Sequence, residues 1–366
     1  MSRGRDYEDA GVRTQGDALT AVKRHLEPTL GFAHTARVLT RFGHFASVLQ
    51  VAPDLAIALC TDGVGTKTMI ASALDSYATI GFDCVAMNAN DLVCVGARPI
   101  ALVDYLGVNT LDPARLDGVL EGLGRAAKEA GISIPGGELA QLPEVIGSNA
   151  GGPGDERAFD LVGTCVGTLR PSELLLGTEV APGDALIGVA SSGLHSNGFT
   201  LARRALLGRA GLRLEDEVAE IGRTLGEELL EPTLLYVSAV TGLWDRGIAT
   251  KGIVHITGDG LANLCRLEAP AGYALEELLP IPPIFDLIQR AGDVDDAEMF
   301  RVFNMGIGLV IVVSADDGAE TVDNLSASGH RAARIGTVTA RTGVVEIEPR
   351  SLAGGLGGGD SVFRPV

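Results

Sequence analysis

The chain has 366 residues, which is enough for two domains of ordinary size, and its 46% hydrophobic content excludes a disordered protein. Its formal net charge of −18 argues against nucleic acid or an anionic membrane surface as the main partner. The five cysteines form no CxxC pair, and no run approaches the ~18 apolar residues that a membrane helix needs. These features predict a soluble, cytoplasmic protein with no membrane or nucleic-acid partner.

The first half of the chain alternates strand and helix signals that are separated by glycine loops. The predicted elements are helix 16–30, strand 55–60, helix 67–77, helix 83–97, strand 101–108, helix 111–131 and strand 160–169. The helix at 111–131 has the clearest signals, because Asp112 can cap it, Pro113 suits its first turn and Gly131 can end it.

The second half shows the same alternation of strand, glycine loop and helix after a turn-rich segment at 170–184. Its predicted elements are strand 185–190, a polar glycine loop at 191–198, helix 199–211, a similar strand and loop within 251–267, and strand 306–314. We predict an N-terminal domain at 1–172 and a C-terminal α/β domain at 173–345. The remaining residues, 346–366, are predicted to be a flexible tail without a role.

The loop TDGVGTK lies between a predicted strand and a predicted helix. Its glycines, Gly63 and Gly65, would let backbone N–H groups approach an anion, and the following helix adds a partial positive charge. Lys67 can place a charge on phosphate, while Asp62 can hold Mg²⁺. The loop is not a Walker A motif, since Thr66 precedes the lysine and the G-x-x-x-x-G-K spacing is missing. From these residues alone, a phosphate site and an ordinary solvated turn explain the loop equally well.

Three polar residues, Asp83, Asn90 and Asp91, occur among apolar neighbours in a predicted buried helix. An ionised group there needs a partner, because unpaired buried charge is expensive. A metal ion, an arginine or a helix cap would each satisfy this need. The loop PGGELA adds Glu138, whose two preceding glycines again suggest a close approach of the backbone.

The loop SSGLHSNG carries more hydrogen-bonding groups than one helix cap needs. Its candidate residues are Ser192, Gly193, His195, Ser196 and Asn197. Ser196 or Asn197 would serve as an ordinary cap for the following helix. The surplus of donors favours ligand binding over that simpler interpretation.

The segment VHITGDG places His255 and Thr257 directly before another glycine turn. A lone histidine usually has a structural role, so His255 becomes a candidate only because of its neighbours. We therefore group it with the other polar glycine loops.

Nine motifs stand out when the chain is read from its N-terminus. They are DYEDAGV (6–12), TDGVGTK (61–67), TIGFDCVAMNANDLVCVGARP (79–99), GGE (136–138), ASSGLHSNG (190–198), LLEPT (229–233), HITGDGL (255–261), PPIF (282–285) and FNMGIG (303–308). Each motif alone is weak. Together and in this order they resemble the family of phosphoribosylformylglycinamidine cyclo-ligase, also called AIR synthetase, over nearly the whole chain.

This resemblance implies ATP-dependent ring closure of formylglycinamidine ribonucleotide in purine biosynthesis. It implies an α/β (α+β) fold of two domains, in which the N-terminal sheets of a homodimer form a shared barrel and the C-terminal domain is an α/β layer. The implied ligands are the ribonucleotide substrate, ATP and Mg²⁺, with a monovalent cation such as K⁺ left open.

The resemblance also assigns roles to the candidate residues. The implied catalytic residues are Lys67, His195 and His255, and the implied metal ligands are Asp62, Asp91 and Glu138. The implied cofactor-binding residues are Asp62, Gly63, Gly65, Thr66, Lys67, Asp83, Asn90, Thr257 and Gly258. The implied substrate-binding residues are Ser192, Gly193, Ser196, Asn197 and Asn304.

The chain departs from the family pattern at three places. Gln141 stands where an acid is usual, and Asp259 stands where a third glycine is usual. The early glycine-rich segment reads TRFGHFAS, so His44 and Phe45 would line the site differently. We expect Asp259→Gly to tighten ATP or ribonucleotide binding if the carboxylate repels phosphate. We expect Lys67→Ala to lower turnover much more than stability, since the lysine is predicted to lie in a loop.

Two other classes of function stay open on the sequence. One is a related enzyme of the same fold, such as a thiamine monophosphate kinase or a synthetase of the selenophosphate type. These would not be expected to keep ASSGLHSNG, LLEPT and PPIF together. The other is a nucleotide-binding protein that has lost turnover, which Gln141 and Asp259 leave open. Nucleotide hydrolysis that depends on the ribonucleotide would separate these classes.

Overall fold

The computed structural model describes residues 16–147, 155–357 and 360–366. The motif DYEDAGV at 6–12 lies outside this part of the chain. The elements of the first half are α1 (Gly16–Leu26), β1 (Arg37–Val38), β2 (Ser47–Ala52), β3 (Leu55–Gly63), α2 (Thr68–Leu74), α3 (Ala78–Val93), β4 (Arg98–Val108), α4 (Pro113–Ala130), β5 (Ser133–Gln141) and β6 (Phe159–Leu169). None of the helices described is both long and apolar enough to cross a bilayer.

The strands of the first half form one six-stranded sheet in the order β1-β2-β3-β6-β4-β5. All neighbours are antiparallel except β4 and β5. Side chains alternate between the two faces, as the period of a strand requires. On β3, Ala58 and Cys60 are buried beneath helix α3, whereas Leu55 and Leu59 on the other face are exposed. The helices therefore cover only one face of this sheet.

Helices α3 and α4 cross at two glycines. A Cβ atom on Gly81 would lie 2.1 Å from the carbonyl oxygen of Val119, and one on Gly122 would lie 1.8 Å from that of Ala78. Neither position leaves room for a side chain, so the two backbones approach directly. This close packing fixes α3, which carries the polar residues Asp83, Asn90 and Asp91, against the sheet.

The second half contains an eight-stranded sheet in the order β10-β12-β7-β13-β11-β14-β15-β16. The elements of the second half are β7 (Ala185–Ala190), α5 (Phe199–Arg203), β8 (Glu217–Val218), β9 (Arg223–Thr224), α6 (Leu225–Leu229), α7 (Val237–Asp245), β10 (Thr250–His255), β11 (Gly272–Leu275), α8 (Pro283–Gly292), α9 (Asp296–Val302), β12 (Ile307–Val313), α10 (Gly318–Ala327), β13 (Ala332–Thr339), β14 (Val345–Ile347), β15 (Leu352–Gly357) and β16 (Asp360–Pro365). Strands β7 and β12 are buried throughout apart from Ala190 and form the centre of the core.

The structure confirms most of the predicted elements and overturns one prediction. The helix at Pro113–Ala130 is capped by Asp112, whose carboxylate accepts from the N–H of Ala114, and Gly131 ends it with a φ of +70°. The predicted flexible tail is wrong, because β15 and β16 pair as an antiparallel hairpin at the edge of the sheet. Leu352 and Phe363 are buried there, so the glycine-rich composition conceals apolar anchors.

The fold class is confirmed at the level of a mixed α/β protein with two large sheets and a two-stranded sheet of β8 and β9. Within the described residues, neither large sheet closes on itself.

Candidate active site

Two carboxylates, Asp62 and Asp91, influence each other where strand β3 meets helix α3. Asp62 is near the end of β3, and Asp91 is in the last turn of α3. Burial and then the negative charge of Asp91 raise the pKa of Asp62 to about 6, against opposing effects of the Gly63 N–H, His255 and Arg266. A buried carboxyl beside a second carboxylate favours a cation as their shared partner.

Asn88 holds the backbone that carries Asp62. Its side-chain oxygen accepts from the N–H of Asp62 at 3.0 Å, and its amide nitrogen donates to the carbonyl of Asp62 at 3.1 Å. The same nitrogen donates to the carbonyl of Cys84 one turn earlier in α3. Asn88 is fully buried, and the sequence prediction did not include it. Its signal was available, because an amide in an otherwise apolar helix needs partners.

His255 belongs to the same group although it comes from the second sheet. It is the last residue of β10, and its Nδ1 lies 2.8 Å from Asp91 Oδ1. The side chain is fully buried, and Nε2 has no hydrogen-bond partner among the described residues. A carboxylate that accepts from Nδ1–H fixes the ring and leaves Nε2 available to a ligand. The structure therefore unites the predicted residues Asp62, Asp91 and His255.

The carboxylates of Asp62 and Asp91 fit Mg²⁺, which prefers oxygen ligands and is often bound by one or two carboxylates together with substrate phosphates. Glu138, the third predicted ligand, is not brought to them. It lies on β5, three strands away from β3, which corresponds to at least about 14 Å. In the described part of the chain, no three His, Cys, Asp or Glu side chains are grouped closely enough to hold a metal. Gln141 is likewise exposed, at the end of β5.

Lys67 is not a loop lysine, which contradicts the sequence prediction. It lies in a short 3₁₀ turn before α2, and its side chain is fully buried. Its ammonium is 2.7 Å from Asp83 Oδ2 and donates to the carbonyl of Glu231 at 2.6 Å. The ring of Phe199 lies 5.7 Å away from the ammonium. These contacts give Lys67 a structural role in the observed arrangement.

Asp83 and Asn90 bind the backbone of the second half instead of facing an open pocket. Asp83 Oδ1 accepts from the N–H of Thr233 at 2.7 Å. Asn90 donates to the carbonyl of Leu234 and accepts from the N–H of Tyr236. The motif LLEPT thus supplies part of an interface between the two halves, which its sequence alone did not indicate.

In the predicted phosphate loop Gly65 and Thr66 are exposed, as is Thr61 at its start. Gly65 has a φ of +70° and open space where a Cβ atom would be, so a side chain would strain the backbone but meet no neighbour. The hydroxyl of Thr66 lies 3.2 Å from that of Thr200 at the start of α5. This edge of the loop is available to a ligand, in contrast to Lys67.

The loop at 191–198 places His195 inside the protein. The residue has a φ of +61°, its side chain is 1% exposed, and its Nε2 accepts from the N–H of Ser192 at 3.3 Å. Burial, followed by the charges of His255 and Lys67, holds the pKa of His195 well below its usual value. His195 is therefore a neutral ring whose Nδ1 has no partner.

Asn304 fixes the shape of this loop. Its amide nitrogen donates to the carbonyl of Gly193 at 2.8 Å, and its oxygen accepts from Ser191 and from the N–H of Gly306. Since both ends of the Asn304 amide are occupied, its contacts support a positioning role more than direct substrate binding.

Three other predicted residues of the loop differ in availability. Ser192 donates to the carbonyl of Pro232 at 2.6 Å, and Ser196 shares a hydrogen bond with Thr233 at 3.2 Å. Asn197 has a buried amide nitrogen without a partner in the part of the chain that the structure describes. Asn197 is the member of this set whose donor is free for a ligand.

The Thr257–Gly260 loop faces Asn197. A Cβ atom on Gly258 would lie 3.7 Å from Asn197 Oδ1, which places the two loops side by side. Asn263 donates to the carbonyls of Gly258 and Gly260 at 2.8 Å and so stabilises the turn. The polar loops that follow strands β7 and β10 therefore lie side by side. His255, the last residue of β10, connects them to Asp91.

Comparison with known proteins decides the family. Residues 43–169 match the family model described as AIR synthase related protein, N-terminal domain, and residues 181–348 match the corresponding C-terminal domain. The phosphoribosylformylglycinamidine cyclo-ligase of Thermococcus kodakarensis is 45% identical over 78% of this chain and 79% of that protein. The protein of the same name from Sorangium cellulosum is 42% identical over 95% of this chain and 99% of that protein. The chain belongs to the phosphoribosylformylglycinamidine cyclo-ligase family.

A solved structure entitled Hydrogenase Maturation Protein HypE in complex with ATP resembles this chain with a TM-score of 0.56. The two sequences are 20% identical, and the match covers 91% of this chain and 92% of that one. This likeness shows that the cyclo-ligase family shares its fold with other proteins.

Two of the three departures of this chain from the cyclo-ligase pattern, at His44–Phe45 and at Asp259, lie around Arg266, which the sequence prediction missed. The Arg266 guanidinium is 5.2 Å from the Phe45 ring and 3.6 Å from Asp259 Oδ2. Burial and the charge of Arg266 lower the pKa of His44 to about 4, so His44 is neutral. The positive charge of Arg266 also opposes the rise in the pKa of Asp62.

Proposed function

We propose that this chain catalyses the ATP-dependent ring closure of formylglycinamidine ribonucleotide to 5-aminoimidazole ribonucleotide, with release of ADP and phosphate. Family membership over most of the chain supports this reaction. The single structural observation that carries it is the meeting of Asp62, Asp91 and His255 from two sheets.

The chemistry explains why such a site is needed. An amide oxygen is a poor leaving group, so direct attack by the amidine nitrogen would stall. Transfer of the γ-phosphate of ATP to the formyl oxygen gives an iminophosphate. The nitrogen then attacks its carbon, and phosphate departs with the oxygen. Such a reaction depends on positioning and charge stabilisation more than on covalent catalysis.

In this proposal Asp62 and Asp91 hold Mg²⁺. The metal, when bound, neutralises the charge of the transferring phosphate. Asp91 also keeps the proton on Nδ1 of His255, so that Nε2 can hold or accept a proton or contact phosphate. Gly65 and Thr66 supply backbone and hydroxyl groups at the open edge of the phosphate loop.

The loops of the second half would bind the ribonucleotide and complete the phosphate site. Asn197 offers a free amide donor, while Thr257 and Gly258 lie beside it. His195 is buried and neutral, which suits a hydrogen-bonding partner rather than an acid. A direct phosphate role for Lys67 would require its pair with Asp83 to open, and the observed contacts support a positioning role instead.

We propose residues 1–172 as the ATP-binding, metal-binding and dimerisation domain and residues 173–345 as the C-terminal domain. The uncovered face of the six-stranded sheet supports a homodimer, since exposed apolar patches of this kind mark interaction surfaces. Its large exposed side chains include Leu55, Leu59, Val103 and Tyr105. A barrel shared by two such sheets would bury them.

The decisive experiment measures ADP release by the purified protein with ATP and Mg²⁺, with and without formylglycinamidine ribonucleotide, and follows the imidazole product in parallel. We expect ADP to depend on the ribonucleotide and to match product one for one. ADP that forms without this dependence would indicate a related kinase. Binding of ATP without any ADP release would indicate a protein that has lost turnover.

A further inference from the structure

Asp259 occupies a backbone position that favours glycine. Its φ is +74°, in the left-handed region, and it lies between Gly258 and Gly260 in the proposed phosphate loop. Its carboxylate has two partners: Oδ1 accepts from the hydroxyl of Ser361 at 2.9 Å, and Oδ2 lies 3.6 Å from the guanidinium of Arg266. The carboxylate is therefore turned towards a serine 102 residues later in the chain.

Ser361 is part of the C-terminal hairpin, which we define by its two strands, β15 (Leu352–Gly357) and β16 (Asp360–Pro365). Its side chain is 2% exposed, which is unusual for a serine on an edge strand. Helix α9 packs against β16, and the 3₁₀ turn at Gly260–Arg266 packs against β15. The 3₁₀ turn that follows the loop is thus in contact with the hairpin, and the Ser361–Asp259 hydrogen bond joins the loop itself to β16.

The match to the C-terminal family model ends at residue 348, before the hairpin begins. The glycine expected from the family pattern at position 259 would have no side chain to bind Ser361. Asp259 departs from the family pattern, and it contacts the hairpin that lies beyond the matched region.

We propose that the C-terminal hairpin positions the Thr257–Gly260 loop for the phosphate groups of ATP, through the hydrogen bond between Ser361 and Asp259. Asp259 is a positioning residue, and its charge is directed to Ser361 and Arg266 rather than to the nucleotide. This inference rests on the proposed function of the loop. It reverses the sequence expectation for Asp259→Gly, which should weaken ATP binding because it releases the loop from the hairpin.

The test compares the wild type with Ser361→Ala, Asp259→Gly and the double variant. Ser314→Ala is the matched control, because Ser314 also donates to an aspartate, Asp317, but lies at the far end of β12. Two readouts are measured: backbone hydrogen exchange of residues 257–266, and the separate values of kcat and of KM for ATP. A loop that is only loosened should change KM more than kcat.

We expect Ser361→Ala to speed exchange in the loop and to raise KM for ATP about five-fold or more, the lower end of usual coupling between sites. The double variant should differ little from Asp259→Gly, since that change already removes the acceptor of the Ser361 hydroxyl. Ser314→Ala should leave exchange in residues 257–266 and KM unchanged.

Unchanged exchange and unchanged KM in Ser361→Ala would overturn the proposal while the cyclo-ligase reaction of the wild type stands. Equal effects of Ser314→Ala and Ser361→Ala on the loop would also overturn it, because they would reflect general loosening of the domain. A wild type that forms no product would refute the proposed function instead, and the exchange experiment would still decide whether Ser361 holds the loop.

Discussion

The ammonium of Lys67 lies 2.7 Å from Asp83 Oδ2, and both side chains are fully buried. Burial raises the pKa of Asp83, and the charge of Lys67 opposes that rise. A buried pair of this kind is costly to break, because the remaining charge has no partner and no water. The relationship makes Lys67 a residue on which stability depends, in addition to any role in turnover.

We therefore expect Lys67→Ala to lower the free energy of unfolding by about 3–5 kcal/mol. Lys67→Met combined with Asp83→Asn should recover much of this loss, since Asn keeps the acceptor for the Thr233 N–H. Urea unfolding followed by circular dichroism measures both changes. Arg125→Ala, which removes an exposed ion pair with Glu121, is the control and should cost at most about 1 kcal/mol. A loss that small for Lys67→Ala would contradict the structural role.

The raised pKa of Asp62 predicts a pH dependence of stability in the absence of metal. The carboxyl titrates near 3.8 in the unfolded chain and at about 6 in the folded one. Between these values the folded state keeps a proton that the unfolded state has released, so stability falls as pH rises from about 4 to about 6. The difference between the two pKa values, at 1.36 kcal/mol per pH unit, corresponds to about 3 kcal/mol in the free energy of unfolding.

Asp62→Asn should therefore be more stable than the wild type at pH 7 and should lose most of that advantage at pH 4. Unfolding free energies in EDTA at the two pH values give the comparison. The same difference between the two proteins at both pH values would refute the titration of Asp62. Addition of Mg²⁺ should stabilise the wild type at pH 7 and leave the variant nearly unchanged, because binding to the folded state shifts the equilibrium.

Asn88→Ala should reduce both stability and turnover. The change leaves the N–H and the carbonyl of Asp62 without their amide partner, and an unsatisfied buried group costs about 1–3 kcal/mol. Denaturant unfolding and ADP release would be measured on the same preparations. Asn324→Ala removes one exposed hydrogen bond on α10 and serves as the control. Turnover equal to that of the control would show that the two hydrogen bonds between Asn88 and the backbone of Asp62 have no effect on catalysis.

His255→Gln should lower kcat by about 10²-fold or more while the protein stays folded, if the ring handles a proton or contacts phosphate. The measurement is ribonucleotide-dependent ADP release, with circular dichroism to verify folding. His25→Gln, on the exposed face of α1, should behave as the wild type. Near-normal kcat in His255→Gln would restrict this histidine to a structural contact with Asp91.

Val103→Glu tests the uncovered face of the first sheet. Val103 is 43% exposed, and a charge there would oppose burial against a second copy. Light scattering coupled to size exclusion should give a dimer for the wild type and a monomer for the variant. Asp117→Lys, on helix α4 and away from this face, is the control. A variant that remains dimeric would place the subunit contact elsewhere.

The sequence predicted the local structure well, because its signals act over short distances. Asp112 and Gly131 bound their helix wherever the rest of the chain lies. The contacts of Lys67 and Asp83 were not predictable, since their partners are backbone groups of residues 231–233, about 150 residues later. The hairpin at 352–365 was missed because glycine suggested disorder, while the few apolar residues that anchor it give no clear period.

Helix α3 connects the two halves of the chain in a way that affects how the protein is made. Asp83 and Asn90 find their partners at Thr233, Leu234 and Tyr236, and Asp91 finds its partner at His255. During synthesis the ribosome releases α3 long before these residues exist. The first half must therefore keep three polar groups hydrated until the second half emerges.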